Sequence, residues 1–156
     1  EFTVQTGVRT FEAAAYLRRC GADITRIRKI FRENFKDYQA KAAAISSAEI
    51  YRDAYAFSTI DPKGLESPTV VCAQAANELL NIRGIKASIV LTLYNDIIYV
   101  SARSIDEMNV QVLMEKLGGG GHRTIAGAQL REGSLPEAIA TIKQAIDEMI
   151  KEGEAS

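Results

Sequence analysis

Histidine occurs once in these 156 residues, tryptophan never, cysteine twice and proline three times. A single histidine among scattered acids does not supply the several His, Asp and Glu ligands of a metal centre. It completes no nucleophile–His–acid set either. Cys20 and Cys72 stand far apart in helical-looking segments, with no metal-ligand spacing and no disulfide framework, which fits a reducing, cytoplasmic compartment. No apolar run approaches the roughly 18 residues of a membrane helix, and no signal peptide is visible. A large positive surplus is also missing. The formal net charge is −1, which argues against a protein that coats nucleic acid by neutralising phosphates. The chain does not open on Met and is expected to be a piece of a longer protein, with further features upstream.

What is present is ordinary globular material: 47% hydrophobic and 25% charged residues, enough for one domain, or one domain and part of another. Charge is uneven. Residues 1–48 hold nine Lys/Arg against five Asp/Glu, and residues 49–156 hold ten against fifteen. The hydrophobic pattern changes at the same place, so a boundary is expected there.

The first part reads as short helices. "TFEAAAYLRRCG" (10–21) has Phe11, Ala14 and Leu17 three apart and Gly21 as a stop. Asp23 caps a second helix carrying Ile24, Ile27, Ile30 and Phe31. A third, about 34–47, carries Phe35, Tyr38, Ala42 and Ile45. Arg18, Arg19, Arg26, Arg28, Lys29 and Arg32 fit the wet faces of these helices. From Ile50, "IYRDAYAFSTI" reads as a strand and "DPKGLESP" as a loop. Ser67 and Pro68 open a helix running to about Asn81. In "IKASIVLTL", Ile85, Ala87, Ile89, Leu91 and Leu93 alternate as one face of a strand. "YNDI" supplies a hairpin turn and 97–103 the return strand. Ser104 and Glu107 suggest a capping box before a helix striped by Val110, Leu113, Met114 and Leu117. "IAGAQLR" reads as a short helix-to-strand passage. Ser134 and Glu137 form a second capping box, opening a last helix to about Lys151. The order from residue 49 is β-α-β-β-α-glycine loop-β-α: an α/β domain with a mixed sheet and packed helices.

The four glycines at 118–121 need a reason. Each costs about 0.5–1 kcal/mol relative to Ala when ordered in regular structure. A slack linker would avoid that cost, but the run lies between a striped helix and another element, so an ordered loop fits better. Close approach rewards such a loop: backbone N–H groups can converge on an anion or lie flat against a base. The short helix expected after it would add its N-terminal N–H groups. His122, Arg123 and Thr124 add donors, against the alternative of an ordinary surface imidazole. The spacing is not that of a P-loop, and no strand precedes it as a dinucleotide fingerprint requires. On the return strand Ile98, Val100 and Ala102 share one face. Ile97, Tyr99, Ser101 and Arg103 share the other, which turns polar toward its end. Ser101 and Arg103 could reach the glycine loop's pocket, or form a solvated strand end. The residues by themselves describe a binding domain, with a plain assembly domain and a nucleic-acid module as alternatives.

"GGGGHRTIAGAQL" resembles the glycine-rich motif of the DHH-associated C-terminal domain of DHH phosphoesterases: RecJ-like nucleases, oligoribonuclease-type phosphatases and cyclic dinucleotide phosphodiesterases. "TGVRTFEAAAYLRRCGAD", "AEIYRDAYA", "AQAANELL" and "SARSIDEMNVQVLMEKLGGGGH" together resemble the membrane-anchored cyclic-di-AMP phosphodiesterases, over nearly the whole chain. The resemblance implies a parent whose N-terminal DHH domain binds manganese through His and Asp residues and activates a water to open cyclic di-AMP to linear pApA. It implies that residues 1–48 are the tail of that domain and its connector, and that 49–156 are the associated substrate-binding domain. By match of motif, Gly118, Gly119, Gly120, Gly121 and His122 would be the nucleotide-binding loop and Arg103 a substrate-holding arginine, with Ser101 and Thr124 beside them. The DHH triplet and the metal-binding aspartates are absent from this chain. It is therefore expected to bind no cofactor of its own, to be inactive alone, and to take a cyclic dinucleotide or short adenine nucleotide together with the missing DHH domain. Its place would be the cytoplasmic side of a membrane-anchored parent, without membrane contact of its own. A homodimer is one option for assembly. The loop departs from commoner forms at Arg123 and Ile125, which leaves the substrate preference open; because related domains accompany RNA- and DNA-processing enzymes, the alternative is an RNA- or DNA-binding module of a RecJ-like nuclease or oligoribonuclease.

Overall fold

The computed structural model describes residues 6–153. Contacts divide the chain into two compact units that meet in sequence between Asn34 and Phe35. The first holds α1 (Val8–Arg19) and α2 (Ile24–Ile30). The Asp23 carboxylate accepts from the N–H groups of Thr25 and Arg26, as the sequence suggests. Neither helix buries a residue, and Phe11, Leu17, Ile30 and Phe31 are exposed.

The second unit runs α3 (Phe35–Ser46), β1 (Glu49–Tyr51), β2 (Tyr55–Thr59), α4 (Pro68–Leu79), β3 (Ala87–Tyr94), β4 (Ile97–Ser104), α5 (Val110–Glu115), β5 (Gly120–His122), β6 (Ile125–Leu130) and α6 (Leu135–Glu152). One sheet contains all six strands in the order β1-β2-β3-β4-β6-β5. Only β2 and β3 pair in parallel. A parallel pair needs a crossover, and α4 supplies it. The remaining pairs are antiparallel, and the tightest is the β3–β4 hairpin. Its turn residues Asn95 and Asp96 have φ of 51° and 60°, the left-handed conformation that a two-residue hairpin favours and that Asn and Asp tolerate.

The sheet is mixed and has helices on both faces. Against one face lie α5 and α6, whose Val110, Leu113, Met114, Ile142, Ile146 and Met149 pack on Phe57, Ile89, Leu91, Ile98 and Val100. Against the other lie α3 and α4, with Ala44, Val71, Cys72, Ala76 and Leu79 on Ala56, Ile60 and Val90. Because both sides of β2 and β3 are covered, polar residues on the α3–α4 side must be satisfied internally. The Ser58, Ser88 and Thr92 hydroxyls donate to the carbonyls of Ala44, Ala76 and Ile60 at 2.6, 2.6 and 2.9 Å.

Several local expectations are corrected. "IYRDAYAFSTI" is a hairpin, β1 and β2, because Arg52 and Asp53 adopt positive φ between them. Ile85 precedes β3 and packs with the α4 cluster, and Leu93 is exposed, so the alternating stripe is Ala87, Ile89 and Leu91 alone. Ser104 ends β4 and donates to the Met108 carbonyl, so the cap of α5 is Asn109, which accepts from Gln111 N–H. Ser67 and Pro68 do open α4, though the Ser67 side chain makes no cap bond. The capping box of Ser134 and Glu137 is present in full. No helix follows the glycines: β5 and β6 form a hairpin there. Among the described residues, no helix is long and apolar enough to cross a membrane.

Candidate functional site

The four glycines divide into three roles. Gly118 has φ of 76° and ends α5: its N–H bonds the Glu115 carbonyl and that of Gly119 the Met114 carbonyl, the paired closure of a helix by a left-handed residue. A Cβ on Gly119 would lie 2.2 Å from the Gly127 carbonyl oxygen, and one on Gly121 would lie 2.5 Å from the Cα of Ala126. Gly120 alone in the run combines free space around a built Cβ with a backbone outside the left-handed region. Three of the four glycines are thus explained by the chain itself, Gly118 by its left-handed backbone and Gly119 and Gly121 by close packing on β6. The fourth faces outward.

Its direction follows from strand register. Gly120 pairs with Gly127, which pairs with Ser101; His122 pairs with Ile125, which pairs with Arg103. Opposed residues share a face, so Ser101, Arg103, Gly120 and His122 all project from the side of the sheet away from α5. On β6 that side is Ile125, Gly127 and Gln129, while Ala126 and Ala128 are buried beneath it. Ser101 and Arg103 thus share this face with Gly120 and His122; Ser101 also lines the cavity beside the glycines, and Arg103 is not among the residues lining it. Thr124 sits in the β5–β6 turn, where its carbonyl accepts from Ser104 N–H. Arg123 is paired with the Asp106 carboxylate and also bonds the Asp106 carbonyl.

Arg103 is half-buried. Its Nη1 donates to the carbonyls of Ala102 and Ala126 at 2.8 and 3.5 Å, and its Nε is buried with no hydrogen-bond partner among the described residues. Burial lowers its pKa below the ordinary value. A guanidinium held against the sheet with unspent donors is suited to an anion, which its planar fork can grip at two points. His122 is exposed at the end of β5.

Beside this row opens a cavity of about 570 Å³ whose lining includes Thr69 of α4, Tyr99, Ser101, Gly118–Gly120, Gly127, Gln129 and Arg131. That volume suits a nucleotide-sized ligand. Tyr99, Gln129 and Arg131 are additions to the residues the sequence singled out. Tyr99 shares the period of Ser101 and Arg103. A helix-to-strand passage over "IAGAQLR" gives Gln129 no defined face; as a strand, with a glycine in mid-run, the segment projects Gln129 beside Tyr99.

Residues 52–152 match the model of the DHHA1 domain. The chain belongs to the DHHA1 domain family. This DHHA1 chain is 44% identical to the cyclic-di-AMP phosphodiesterase PdeA of Listeria monocytogenes over 94% of its own length and 22% of that protein's. It is 39% identical to the cyclic-di-AMP phosphodiesterase GdpP of Bacillus subtilis over 97% of its length and 23% of that protein's. It therefore spans less than a quarter of these relatives. Among solved structures, an exopolyphosphatase-related protein from Bacteroides fragilis superposes with a TM-score of 0.78 at 19% identity, covering 92% of this chain and 44% of that one. That likeness supports the mixed α/β fold.

Among the described residues no three His, Cys, Asp or Glu side chains come together as metal ligands would.

Proposed function

We propose that the face carrying Gly120, His122, Ser101 and Arg103 is the nucleotide-holding part of a manganese-dependent phosphodiesterase that opens cyclic di-AMP to linear pApA. The metal and the activated water belong to a DHH domain outside this chain, on the cytoplasmic side of the parent. The observation that carries this reading is the register across β4, β6 and β5. It brings a half-buried cation with a spare donor, an exposed imidazole and an unobstructed glycine onto one surface beside an open cavity. Similarity to the two cyclic-di-AMP phosphodiesterases supports the choice of substrate. The work of this part is positioning: Arg103 and His122 hold phosphate oxygens, and Gly120 lets the nucleotide approach the backbone.

Calorimetry with cyclic di-AMP, pApA and AMP tests binding by the chain, with circular dichroism to confirm folding. In a longer form carrying a DHH domain and supplied with manganese, hydrolysis of cyclic di-AMP is expected. Absence of hydrolysis of any adenine dinucleotide there would sink the reading. A strongly salt-dependent shift with single-stranded oligonucleotides would favour a nucleic-acid module instead.

A further inference from the structure

One row of the open face carries almost no side chain. Ser101, Gly127 and Gly120 are Cα partners across β4, β6 and β5. Two strand spacings make a strip about 10 Å wide with nothing above the backbone larger than a hydroxymethyl group. The rows on its two sides differ in chemistry. On one side stand Arg103 and His122, with Ile125 between them. On the other stand Tyr99 and Gln129, themselves Cα partners, which line the same cavity as Ser101 and Gly120. Tyr99 is half-buried and Gln129 exposed.

A ligand laid across this strip meets the Arg103 cation on one flank and, on the other, the hydrogen-bonding Tyr99 and Gln129, with the charge of Arg131 lying further along that side. A phosphate and a base are sorted by that difference. The flat strip admits a planar ring, Tyr99 offers an aromatic surface, and the Gln129 amide offers a donor beside an acceptor. Adenine's N6–H2 and N7 edge complements such an amide at both points, whereas guanine's O6 and N7 are both acceptors and leave the amide oxygen opposed. Arg131, further along the same cavity, adds a flat cation able to cover a ring.

We infer that the Tyr99–Gln129 row is the base-reading side of the nucleotide site and sets its preference for adenine. This rests on the nucleotide-binding reading above and adds to it which residues choose the base.

The test is calorimetry of the folded chain with cyclic di-AMP and cyclic di-GMP. The wild type is expected to favour the adenine ligand. Gln129→Arg, which can pair with guanine at two points, is expected to move the ratio of affinities toward cyclic di-GMP by roughly five- to a hundred-fold. Gln129→Ala is expected to reduce the preference without reversing it. Tyr99→Ala should weaken both ligands. His122→Ala should also weaken both, equally, leaving the ratio where it was. If both Gln129 variants, folded by circular dichroism, keep the wild-type ratio, base reading by this row is overturned while the nucleotide-binding reading stands. If the folded wild type binds neither nucleotide, both fall together.

Discussion

The two faces of the sheet share their strands and differ in how far the helices reach. Under α5 and α6, β6 keeps Ala126 and Ala128 buried, and a continuous apolar layer joins them to Ile98, Ile142 and Ile146. On the opposite face α4 lies against β3 and β4. Beyond it, Ile125 and Gln129 of β6 are exposed. The first face supplies cohesion through buried area. The second is closed where hydroxyls can reach carbonyls and open where Ser101, Gly127 and Gly120 leave the backbone bare. The same alternation of two residues therefore builds an apolar core in one direction and leaves an open, partly polar surface in the other.

Breaking the closed face should cost most. Ile146→Ala, fully buried in that layer, is expected to lower unfolding free energy by about 2–5 kcal/mol in urea titration. Neighbouring glycines offer a sharper contrast. Gly119→Ala forces a methyl into the Gly127 carbonyl and Ala128 and should destabilise by about 1–3 kcal/mol, as overpacking does. Gly120→Ala points into free space and should change stability by no more than about 0.5 kcal/mol while weakening nucleotide binding. Equal destabilisation by the two variants would erase the distinction between the faces.

Cys72 probes the part of the second face that α4 seals. It is fully buried, and burial pushes its thiol up to about 12. At pH 8 iodoacetamide should therefore modify exposed Cys20 in the native chain and Cys72 only after unfolding, as mass spectrometry would show. The same shift makes this group's contribution to stability fall as pH rises from 9.0, its ordinary value, toward about 12.

The smallest effect belongs to the capping box of α6. The Ser134 hydroxyl, followed by the Ser134 backbone N–H, holds the Glu137 carboxyl below its ordinary value. That stabilisation is present above pH 4.5, the ordinary value, and is lost as pH falls through the lowered one. Ser134→Ala should lower Tm slightly at pH 7, and the difference from wild type should close on acidification.

These contrasts also mark what the sequence makes legible. The hairpin at Asn95 and Asp96, the capping box at 134 and the polar row of Ser101 and Arg103 are local: neighbours in sequence determine them. The missed features depend on distant partners. Nothing near Ser104 says that its hydroxyl will turn to Met108 while Asn109 takes the cap. Ile85 follows the period of β3, but the strand begins at Ala87, opposite Tyr55. The glycine run announces close approach without naming the neighbour, and for Gly119 and Gly121 that neighbour is β6. Gln129 enters the site only once "IAGAQL" is a strand, a fact settled by pairing with β4.

The β3–β4 turn has reach beyond its own four residues. Pairing runs unbroken from Tyr94 opposite Ile97 to Ala87 opposite Ser104, so Asn95 and Asp96 act as the zero mark of a ruler. Arg103 is read off about 25 Å further along the strand. One residue inserted at that mark, touching no ligand and removing no apolar group, would carry an odd-numbered slip down β4 and exchange its inward and outward sets. The arginine would then point into the apolar layer and Ala102 toward the open face. For this domain, the spelling of a loop remote from the cavity is part of the definition of the cavity.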